Sequence, residues 1–368
     1  METLLTRDGC VHRQQRLRSG MQSHRFDTFL TGHARTIYYL TGVLLPPESP
    51  AALVIEGEGK SVLISPPTEC ATVDECVPVE TYSISRVIAD AHSDAARLLK
   101  DRVARYKDTT WTVEFSYTPA AFSNCVPSVS ASDAGPMLRY LRKSKDEDEI
   151  AEIRRSLKLS AIAYDAAREA IRPGVTEIDV YSAMLDAATK SAAHTFTLAG
   201  DFACGMRCVR GGGPPTGNVV QPGDLYILDL FPACAYYFGD TCRTFAVGEP
   251  TPEQSRAWKL VAQTLAMTEK MLRPGLAAKE LYTAVREGLA PHEFGSSFWH
   301  HGGHGVGFHG HEAPRLIPGS DDVIEVGDVI AIEPALYSEH LRGGIRLENT
   351  YAVRDSGIER LFDYPLEL

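Results

Sequence analysis

Residues 222–229 read Pro-Gly-Asp-Leu-Tyr-Ile-Leu-Asp, and residues 326–333 read Val-Gly-Asp-Val-Ile-Ala-Ile-Glu. In both stretches a Gly-Asp pair, which favours a turn, precedes an apolar run of strand type, and a carboxylate stands five residues after the Asp. Upstream, the Arg-Pro-Gly of residues 172–174 recurs at residues 273–275. Because similarity between two segments of one chain indicates a structural repeat, the sequence predicts two similar halves that each present an acidic strand to a shared centre.

Each half is predicted to contain a long helix, a shorter helix and then antiparallel strands. Ser144 with Glu147 has the spacing of a capping box and predicts the start of the first long helix, which runs until the Pro-Gly pair at 173–174. Thr251 followed by Pro252 predicts the start of its counterpart. This order of elements indicates a curved antiparallel sheet with helices on its outer face.

The residues before the repeat indicate a separate α/β domain. Apolar runs at 51–56 and 61–65 flank a Gly-Glu-Gly-Lys turn and predict a β-hairpin. A boundary at residue 143 gives an N-terminal domain of residues 1–143 and a C-terminal domain of residues 144–368. The predicted fold class is therefore α/β (α+β) with two domains.

Composition limits the classes of partner. The chain has 368 residues and a net charge of −11, which argues against a nucleic acid or an anionic membrane, because both prefer a basic surface. The first 19 residues lack the apolar core of a signal peptide, and no stretch has the length and apolar character of a membrane span. The eight cysteines are scattered and are expected to be reduced thiols. We expect a cytoplasmic protein.

Five residues of metal-binding type follow the repeat in one order. They are Asp229, Asp240, His304, Glu333 and Glu348. Four carboxylates and one imidazole suit a pair of hard or borderline divalent ions. A hairpin between Asp229 and Asp240, which are eleven residues apart, would bring these two side chains together. The sequence therefore predicts a metal centre between the two halves.

Three motifs closely resemble those of the pita-bread metallopeptidase superfamily, the group of methionine aminopeptidase, aminopeptidase P, prolidase and creatinase. Residues 240–245 are similar to the family's Asp-x-x-Arg-Thr-Phe, and residues 304–314 are similar to its Gly-His-Gly-x-Gly…His-Glu-x-Pro stretch. Residues 38–42, Tyr-Tyr-Leu-Thr-Gly, resemble the N-terminal domain of creatinase, prolidase and aminopeptidase P. The resemblance implies a pseudo-twofold pita-bread catalytic domain after a creatinase/prolidase-like domain.

The resemblance also implies a dinuclear-metal-dependent exopeptidase that hydrolyses the N-terminal peptide bond of short peptides, as Xaa-Pro aminopeptidases and dipeptidases do. The five residues above would bind two divalent ions, with Mn²⁺ foremost and Co²⁺, Zn²⁺ or Fe²⁺ as alternatives. Two such cations lower the pKa of a shared water and supply hydroxide at neutral pH. The family further implies a homodimer.

Roles for individual side chains follow from the same resemblance. Glu333 would be the acid–base partner of the water as well as a ligand, and His311 would stabilise the tetrahedral oxyanion. His300 and Arg346 would contact the substrate, although Arg346 is also suited to brace a metal-binding carboxylate. Arg243 is expected to brace the strand of Asp240.

One position departs from the family pattern. The proline-specific members carry a histidine seventeen residues before the first metal-binding Asp, and here that position is Gly212. We therefore expect an intact metal centre beside an altered substrate pocket, and we expect Gly212→His to raise activity on Xaa-Pro substrates. Two alternatives stay open, a creatinase-like hydrolase of C–N bonds and a non-catalytic peptide-binding module on the same fold.

Overall fold

The computed structural model describes residues 3–83, 86–87, 90–106, 109–290 and 298–368. The chain divides into two compact units, the first ending at Arg142 and the second running from Lys143 to Leu368. None of the helices in these ranges combines the length and the apolar character that crossing a bilayer requires.

The first unit is built on a mixed six-stranded sheet. Its helices are α1 (Arg7–Ser23), α2 (Ala34–Thr41), α3 (Ala91–Val103), α4 (Ala120–Ser123) and α5 (Gly135–Lys143). Its strands are β1 (Thr28–Thr31), β2 (Ala52–Glu56), β3 (Ser61–Ser65), β4 (Glu75–Pro78), β5 (Tyr82–Ser83), β6 (Arg86–Val87), β7 (Trp111–Val113) and β8 (Ala131–Asp133). The sheet order is β4-β3-β2-β1-β7-β8, and the predicted hairpin is confirmed as the antiparallel pair β2–β3.

The second unit carries four helices in the part of the chain that is described, and antiparallel strands. The helices are α6 (Glu147–Ala170), α7 (Glu177–Ala192), α8 (Pro252–Met271) and α9 (Ala278–Leu289). The strands are β9 (Thr197–Cys204), β10 (Leu225–Cys234), β11 (Tyr237–Phe238), β12 (Thr241–Ala246), β13 (Gly303–Gly305), β14 (Glu312–Leu316), β15 (Val329–Ile332), β16 (Ala335–Ser338), β17 (Gly343–Arg346), β18 (Asn349–Arg354) and β19 (Gly357–Arg360). The predicted fold class, mixed α and β with antiparallel sheets in the second half, is confirmed.

The internal repeat recurs in the main chain. In the first half β10 lies between β9 and β12, and in the second half β15 lies between β13 and β18, with every one of these pairs antiparallel. The N–H of Gly223 donates to Val247 at 2.8 Å, and the N–H of Gly327 donates to Val353 at 2.9 Å. The two Gly-Asp turns therefore begin their strands with the same hydrogen bond.

Both central strands are approached closely by a glycine of a neighbouring strand in the sheet. A Cβ atom on Gly200 would lie 1.9 Å from the carbonyl oxygen of Asp229, and a Cβ on Gly303 would lie 2.1 Å from that of Ala331. A side chain at either glycine would thus push the neighbouring strand away. These contacts hold β9 and β13 tightly against the strands that carry or precede the acidic residues.

The start of α6 differs from the prediction. The capping box is formed by Asp146 and Glu149, and the N–H of Asp146 donates to the Glu149 carboxylate at 2.9 Å. Ser144 instead lies in an isolated β-bridge with Asp328, so its backbone is held in an extended conformation before the helix can begin. The predicted start of α8 is confirmed, because Thr251 and Gln254 form a capping box with Pro252 as the first helical residue.

Candidate metal centre

The five predicted ligands come from strands of both halves of the repeat. Asp229 is in β10, and Asp240 directly precedes β12, which pairs with β10. His304 is in β13, Glu333 directly follows β15, and Glu348 lies between β17 and β18. All five residues are at most 4% exposed. The fold therefore gathers four carboxyl groups and one imidazole in the interior of the second unit.

Hydrogen bonds between the halves fix the main chain beside two of these ligands, Asp240 and Glu348. The N–H of Glu348 donates to the carbonyl of Cys242 at 3.1 Å, and the hydroxyl of Thr241 donates to the carbonyl of Glu348 at 3.0 Å. The buried guanidinium of Arg243 donates to the same carbonyl at 2.7 Å. The expectation that Arg243 braces the strand of Asp240 is confirmed.

The imidazole of His304 has the orientation of a metal-binding histidine. Its Nδ1 lies 3.0 Å from the carbonyl oxygen of Gly305, so Nδ1 must carry the proton and donate it. The lone pair of Nε2 is then directed at the carboxylates, with Asp240 Oδ2 at 3.6 Å and Glu333 Oε1 at 3.4 Å. A backbone carbonyl that fixes the tautomer in this way is the usual outer partner of a metal-bound imidazole.

The surroundings of the carboxylate oxygens show whether this site is suited to metal ions. Within the described residues, five of the eight oxygens of the four acidic residues are buried without a hydrogen-bond partner: Asp229 Oδ1, Asp240 Oδ1 and Oδ2, and Glu348 Oε1 and Oε2. Ligand atoms of Asp240, His304 and Glu348 all lie within 4.8 Å of one another. Unpaired buried carboxylates are costly, and coordination of cations removes that cost. The donor set therefore fits divalent ions.

The electrostatics of the metal-free site lead to the same conclusion. Burial, together with the neighbouring acidic groups, raises the pKa of Asp240 and of Glu348 well above the usual range. Burial also raises the pKa of Asp229 to about 7, although the nearby Arg346 guanidinium opposes the change. Without cations the site would therefore hold protons on carboxyl groups, because like charges cannot all ionise in a buried cluster.

Glu333 differs from its neighbours because two histidines face it. His301 Nδ1 lies 2.9 Å and His300 Nδ1 lies 3.9 Å from the Glu333 carboxylate. Burial alone would raise the pKa of Glu333, but the hydrogen bond with His301 outweighs burial and holds that pKa well below the usual range. Glu333 is therefore the carboxylate of the cluster that ionises most readily.

His311 lies beside His304, the histidine among the five predicted metal ligands. Its ring centroid is 4.0 Å from that of His304, and partial desolvation together with His304 and His301 lowers the pKa of His311 to about 4. Glu312, the next residue, accepts from the N–H of His309 and from the buried Lys145 ammonium, both at 2.8 Å. These two bonds fix the loop and with it the position of His311 next to the cluster. Because its pKa is about 4, the imidazole of His311 is neutral at pH 7.

The cluster forms the floor of a pocket of about 400 Å³ within the second unit. Its walls include the segment 210–213, Phe231, Trp299 and His300. Trp299 is 60% exposed, and its ring lies 5.5 Å from that of Tyr337. Burial lowers the pKa of His300 to about 4, and its Nε2 lies 2.9 Å from the Tyr337 hydroxyl. Aromatic side chains and the charged Arg210 and Asp201 thus line the pocket above the acidic floor.

Arg346 lies on the pocket wall but is engaged by the protein itself. Its Nη2 is 2.7 Å from Asp229 Oδ2 and also pairs with Asp201, and its Nη1 donates to the Tyr337 oxygen at 3.2 Å. Asp201 and Tyr337 were not among the residues predicted from the sequence. Asp201 belongs to no motif, and it reaches the site because β9 pairs with β10 in the register that sets it opposite Asp229.

The geometry at Gly212 argues against the expected gain of Xaa-Pro activity from a histidine there. Gly212 has a φ of +150°, and a Cβ atom there would lie 2.4 Å from Cγ and 2.6 Å from Oδ2 of Asp201. Any side chain would therefore be strained and would collide with Asp201. The space beside Gly212 is occupied by an acidic group that the family pattern does not indicate.

Sequence profiles identify the family of both units. The profile of metallopeptidase family M24 matches residues 151–355, more than half of the chain. The chain belongs to metallopeptidase family M24. The profile of the creatinase/prolidase N-terminal domain matches residues 13–144. The predicted membership of the pita-bread superfamily, with a creatinase-type first domain, is confirmed, and with it the assignment to a class of hydrolytic enzymes.

Individual M24 proteins resemble this chain over different lengths. It is 32% identical to the Xaa-Pro dipeptidase of Pyrococcus furiosus over 237 residues, which are 63% of this chain and 66% of that protein. It is 27% identical to the Xaa-Pro dipeptidase of Lactobacillus helveticus over 361 residues, 94% of this chain and 95% of the relative. Among solved structures, the Xaa-Pro dipeptidase from Bacillus anthracis has the same fold, with a TM-score of 0.83, 23% identity, and coverage of 98% of this chain and 99% of that one.

Proposed function

We propose that this M24 protein is a dinuclear-metal-dependent exopeptidase that hydrolyses the N-terminal peptide bond of short peptides, in the manner of Xaa-Pro aminopeptidases and dipeptidases. The observation that carries the proposal is the set of buried carboxylate oxygens without partners around the Nε2 of His304, at the floor of a pocket. The names of the Pyrococcus and Lactobacillus relatives support the substrate class.

In this proposal Asp229, Asp240, His304, Glu333 and Glu348 hold two divalent ions, with Mn²⁺ as the expected metal. When bound, the ions would supply Lewis acidity and lower the pKa of a bound water molecule. Domain boundaries at 1–143 and 144–368, a homodimer and a cytoplasmic location remain predictions from the sequence and complete the proposal.

The remaining side chains of the pocket supply proton transfer and orientation. Glu333 is ionised at neutral pH, because its pKa is held low, and its carboxylate at the pocket floor is the group that would take the proton from water. His311, neutral because its pKa is about 4, is placed to donate a hydrogen bond to an oxygen that becomes negative during peptide-bond cleavage. His300 lines the pocket, and the buried Tyr337 hydroxyl, 2.9 Å from its Nε2, holds it in place.

The test is cleavage of a diverse library of short peptides by the Mn²⁺-loaded protein, followed by mass spectrometry, with metal content measured on the same samples. We expect loss of single N-terminal residues from the peptides. Asp240→Asn should lose bound metal and reduce the rate by at least about 100-fold, because a ligand counts for more than the outer partners whose loss costs 10–100-fold.

The matched control is Asp321→Asn, which changes an exposed carboxyl group of the same unit outside the pocket. It should retain both metal and activity. Cleavage that persists in Asp240→Asn would reject the metal centre. A metal-loaded protein that binds peptides without cleaving them would favour the binding-module alternative, and cleavage of a small guanidino compound instead of peptides would favour the creatinase-like one.

A further inference from the structure

Asp201 is an acidic side chain in the pocket that the proposed reaction does not use. It lies in β9 directly opposite Asp229 of β10, and its side chain is 29% exposed, in contrast to the buried metal-type carboxylates. It lines the same pocket and pairs with the guanidinium of Arg346. Asp201 therefore lies between the open part of the pocket and the buried guanidinium of Arg346.

Both terminal nitrogens of Arg346 are engaged by this arrangement. Nη2 serves both Asp201 and Asp229, Nη1 donates to Tyr337, and the side chain is only 7% exposed. Two-point binding of a carboxylate by arginine requires two adjacent N–H groups that point to the ligand. On the pocket side, Asp201 already occupies Nη2, one of the two donors that such a carboxylate would need.

The surroundings hold Asp201 in this place. The absence of a side chain at Gly212 leaves the space that Asp201 fills, with its Cγ 2.4 Å from where a Cβ at position 212 would be. The β9–β10 pairing fixes its backbone on the other side. The negative charge of Asp201 also faces any anion that approaches Arg346, and such opposition between like charges disfavours binding.

We propose that Asp201 is a specificity-determining residue that acts as an internal substitute for a substrate carboxylate on Arg346. It directs the site towards peptides whose chain continues beyond the second residue and away from free dipeptides. This inference rests on the proposed exopeptidase function and narrows its substrate class. Asp201 is a positioning residue, since it acts through Arg346.

The test compares Ala-Pro with Ala-Pro-amide, which share the scissile bond and differ in the C-terminal charge. We expect the Mn²⁺-loaded wild-type protein to have the higher kcat/KM for the amide. Asp201→Asn, which keeps the size and removes the charge, should shift the ratio towards the free acid by about tenfold or more, as expected for one hydrogen bond to a charged group. The change should appear in the KM for the free acid.

The matched control is Asp186→Asn, which changes an exposed carboxylate of α7 and should leave the ratio unchanged.

Binding of the two peptides, measured by calorimetry on the metal-loaded protein, separates this inference from the proposed function. If neither peptide is cleaved but Asp201→Asn still improves binding of the free acid relative to the amide, the exopeptidase assignment fails and the role of Asp201 stands. A wild-type preference for the free acid, an unchanged ratio in Asp201→Asn, or no binding of either peptide would each overturn the role of Asp201.

Discussion

Gly212 is the residue at which expectation and structure differ most. Its φ of +150° and the 2.4 Å approach to Asp201 leave no room for a side chain. We predict that Gly212→His does not raise Xaa-Pro activity and lowers the free energy of unfolding by about 1–3 kcal/mol, the usual cost of a side chain in a sparsely populated backbone region. Denaturant titration of both proteins measures this difference.

A second glycine of the same segment provides the control. A Cβ atom on Gly217 would meet no atom within 4 Å, and its φ lies outside the range that favours glycine. Gly217→Ala should therefore leave stability nearly unchanged or increase it slightly. Equal losses in the two variants would contradict the special role of position 212.

The metal ligands could be predicted from the sequence, but the Asp201 side of the pocket wall could not. The metal-type residues stand in short motifs, so their order along the chain was enough to identify them. Asp201 lies 28 positions before Asp229 and becomes its neighbour only through the register of β9 and β10. Strand register depends on packing across the sheet, and one residue of slip would turn Asp201 to the other face.

At the scale of elements, helix boundaries depended on tertiary contacts in a similar way. Two capping boxes compete at the start of α6, Ser144 with Glu147 and Asp146 with Glu149. The sequence satisfies both, but the bridge from Ser144 to Asp328 and the hydrogen bond from the Lys145 N–H to the Gly327 carbonyl at 2.8 Å keep the first residues extended. The start of α8 faces no such competition, and its prediction succeeded.

In the first unit a buried carboxylate joins several elements. Glu114, just after β7, accepts from the hydroxyls of Thr31 in β1 at 2.6 Å and Thr36 in α2 at 2.9 Å, and it lies 3.4 Å from Arg142 in α5. Burial would raise its pKa, but His33, Arg142 and the hydroxyl donors outweigh burial and hold the pKa of Glu114 at about 2. The ionised form is therefore the one that stabilises this unit.

We predict that Glu114→Gln lowers the free energy of unfolding by about 3 kcal/mol at pH 6. This magnitude follows from the difference between the pKa of Glu114 in the folded protein, about 2, and its usual value of 4.5. A depressed carboxyl pKa adds stability above the pKa of the unfolded chain, and that stability is lost as the pH falls through the folded value. The deficit should thus shrink to less than half by pH 3. Denaturant titrations of both proteins at the two pH values give the result.

Glu58, an exposed residue in the turn between β2 and β3, is the control for this prediction. Glu58→Gln should have little effect at either pH, because an exposed carboxyl group gains little from its surroundings. A deficit in Glu114→Gln that stays constant from pH 6 to pH 3 would show that shape, and not charge, is responsible.

At the scale of the whole molecule, the proposed ligands all belong to the second unit. Binding that requires the folded site stabilises that unit by mass action, by about 2.7 kcal/mol when the free ion is 100 times its Kd. We predict that Mn²⁺ slows amide hydrogen exchange in β10, β12, β13 and β15 by up to about 100-fold and leaves the β2–β3 hairpin unchanged. Mass spectrometry of peptides from the exchanged protein measures both regions.

The variant Asp240→Asn should abolish the effect of Mn²⁺ on the second unit. Equal slowing in both units of the wild-type protein would contradict the prediction and show that they unfold together. Slowing that persists in Asp240→Asn would mean that the ions bind elsewhere.

The internal repeat made most of the second unit accessible to prediction, because its Gly-Asp turns reappear as equivalent main-chain hydrogen bonds. The substrate side lacked such a guide. Tyr337 and Asp201 lie in different halves of the repeat and meet only around the guanidinium of Arg346. A repeat therefore predicts what the two halves share, and the differences between them must be seen in the structure.

The position of Trp299 also gives the pocket an optical property. Of the three tryptophans in the chain, Trp111 is fully buried in the first unit, and Trp258 lies on α8 against the core. Trp299 alone of the three lines the pocket, with its indole 5.5 Å from the ring of His300. A ligand that removes water from this indole shifts its emission to shorter wavelength, so the protein carries its own fluorescent reporter of occupancy and needs no attached dye.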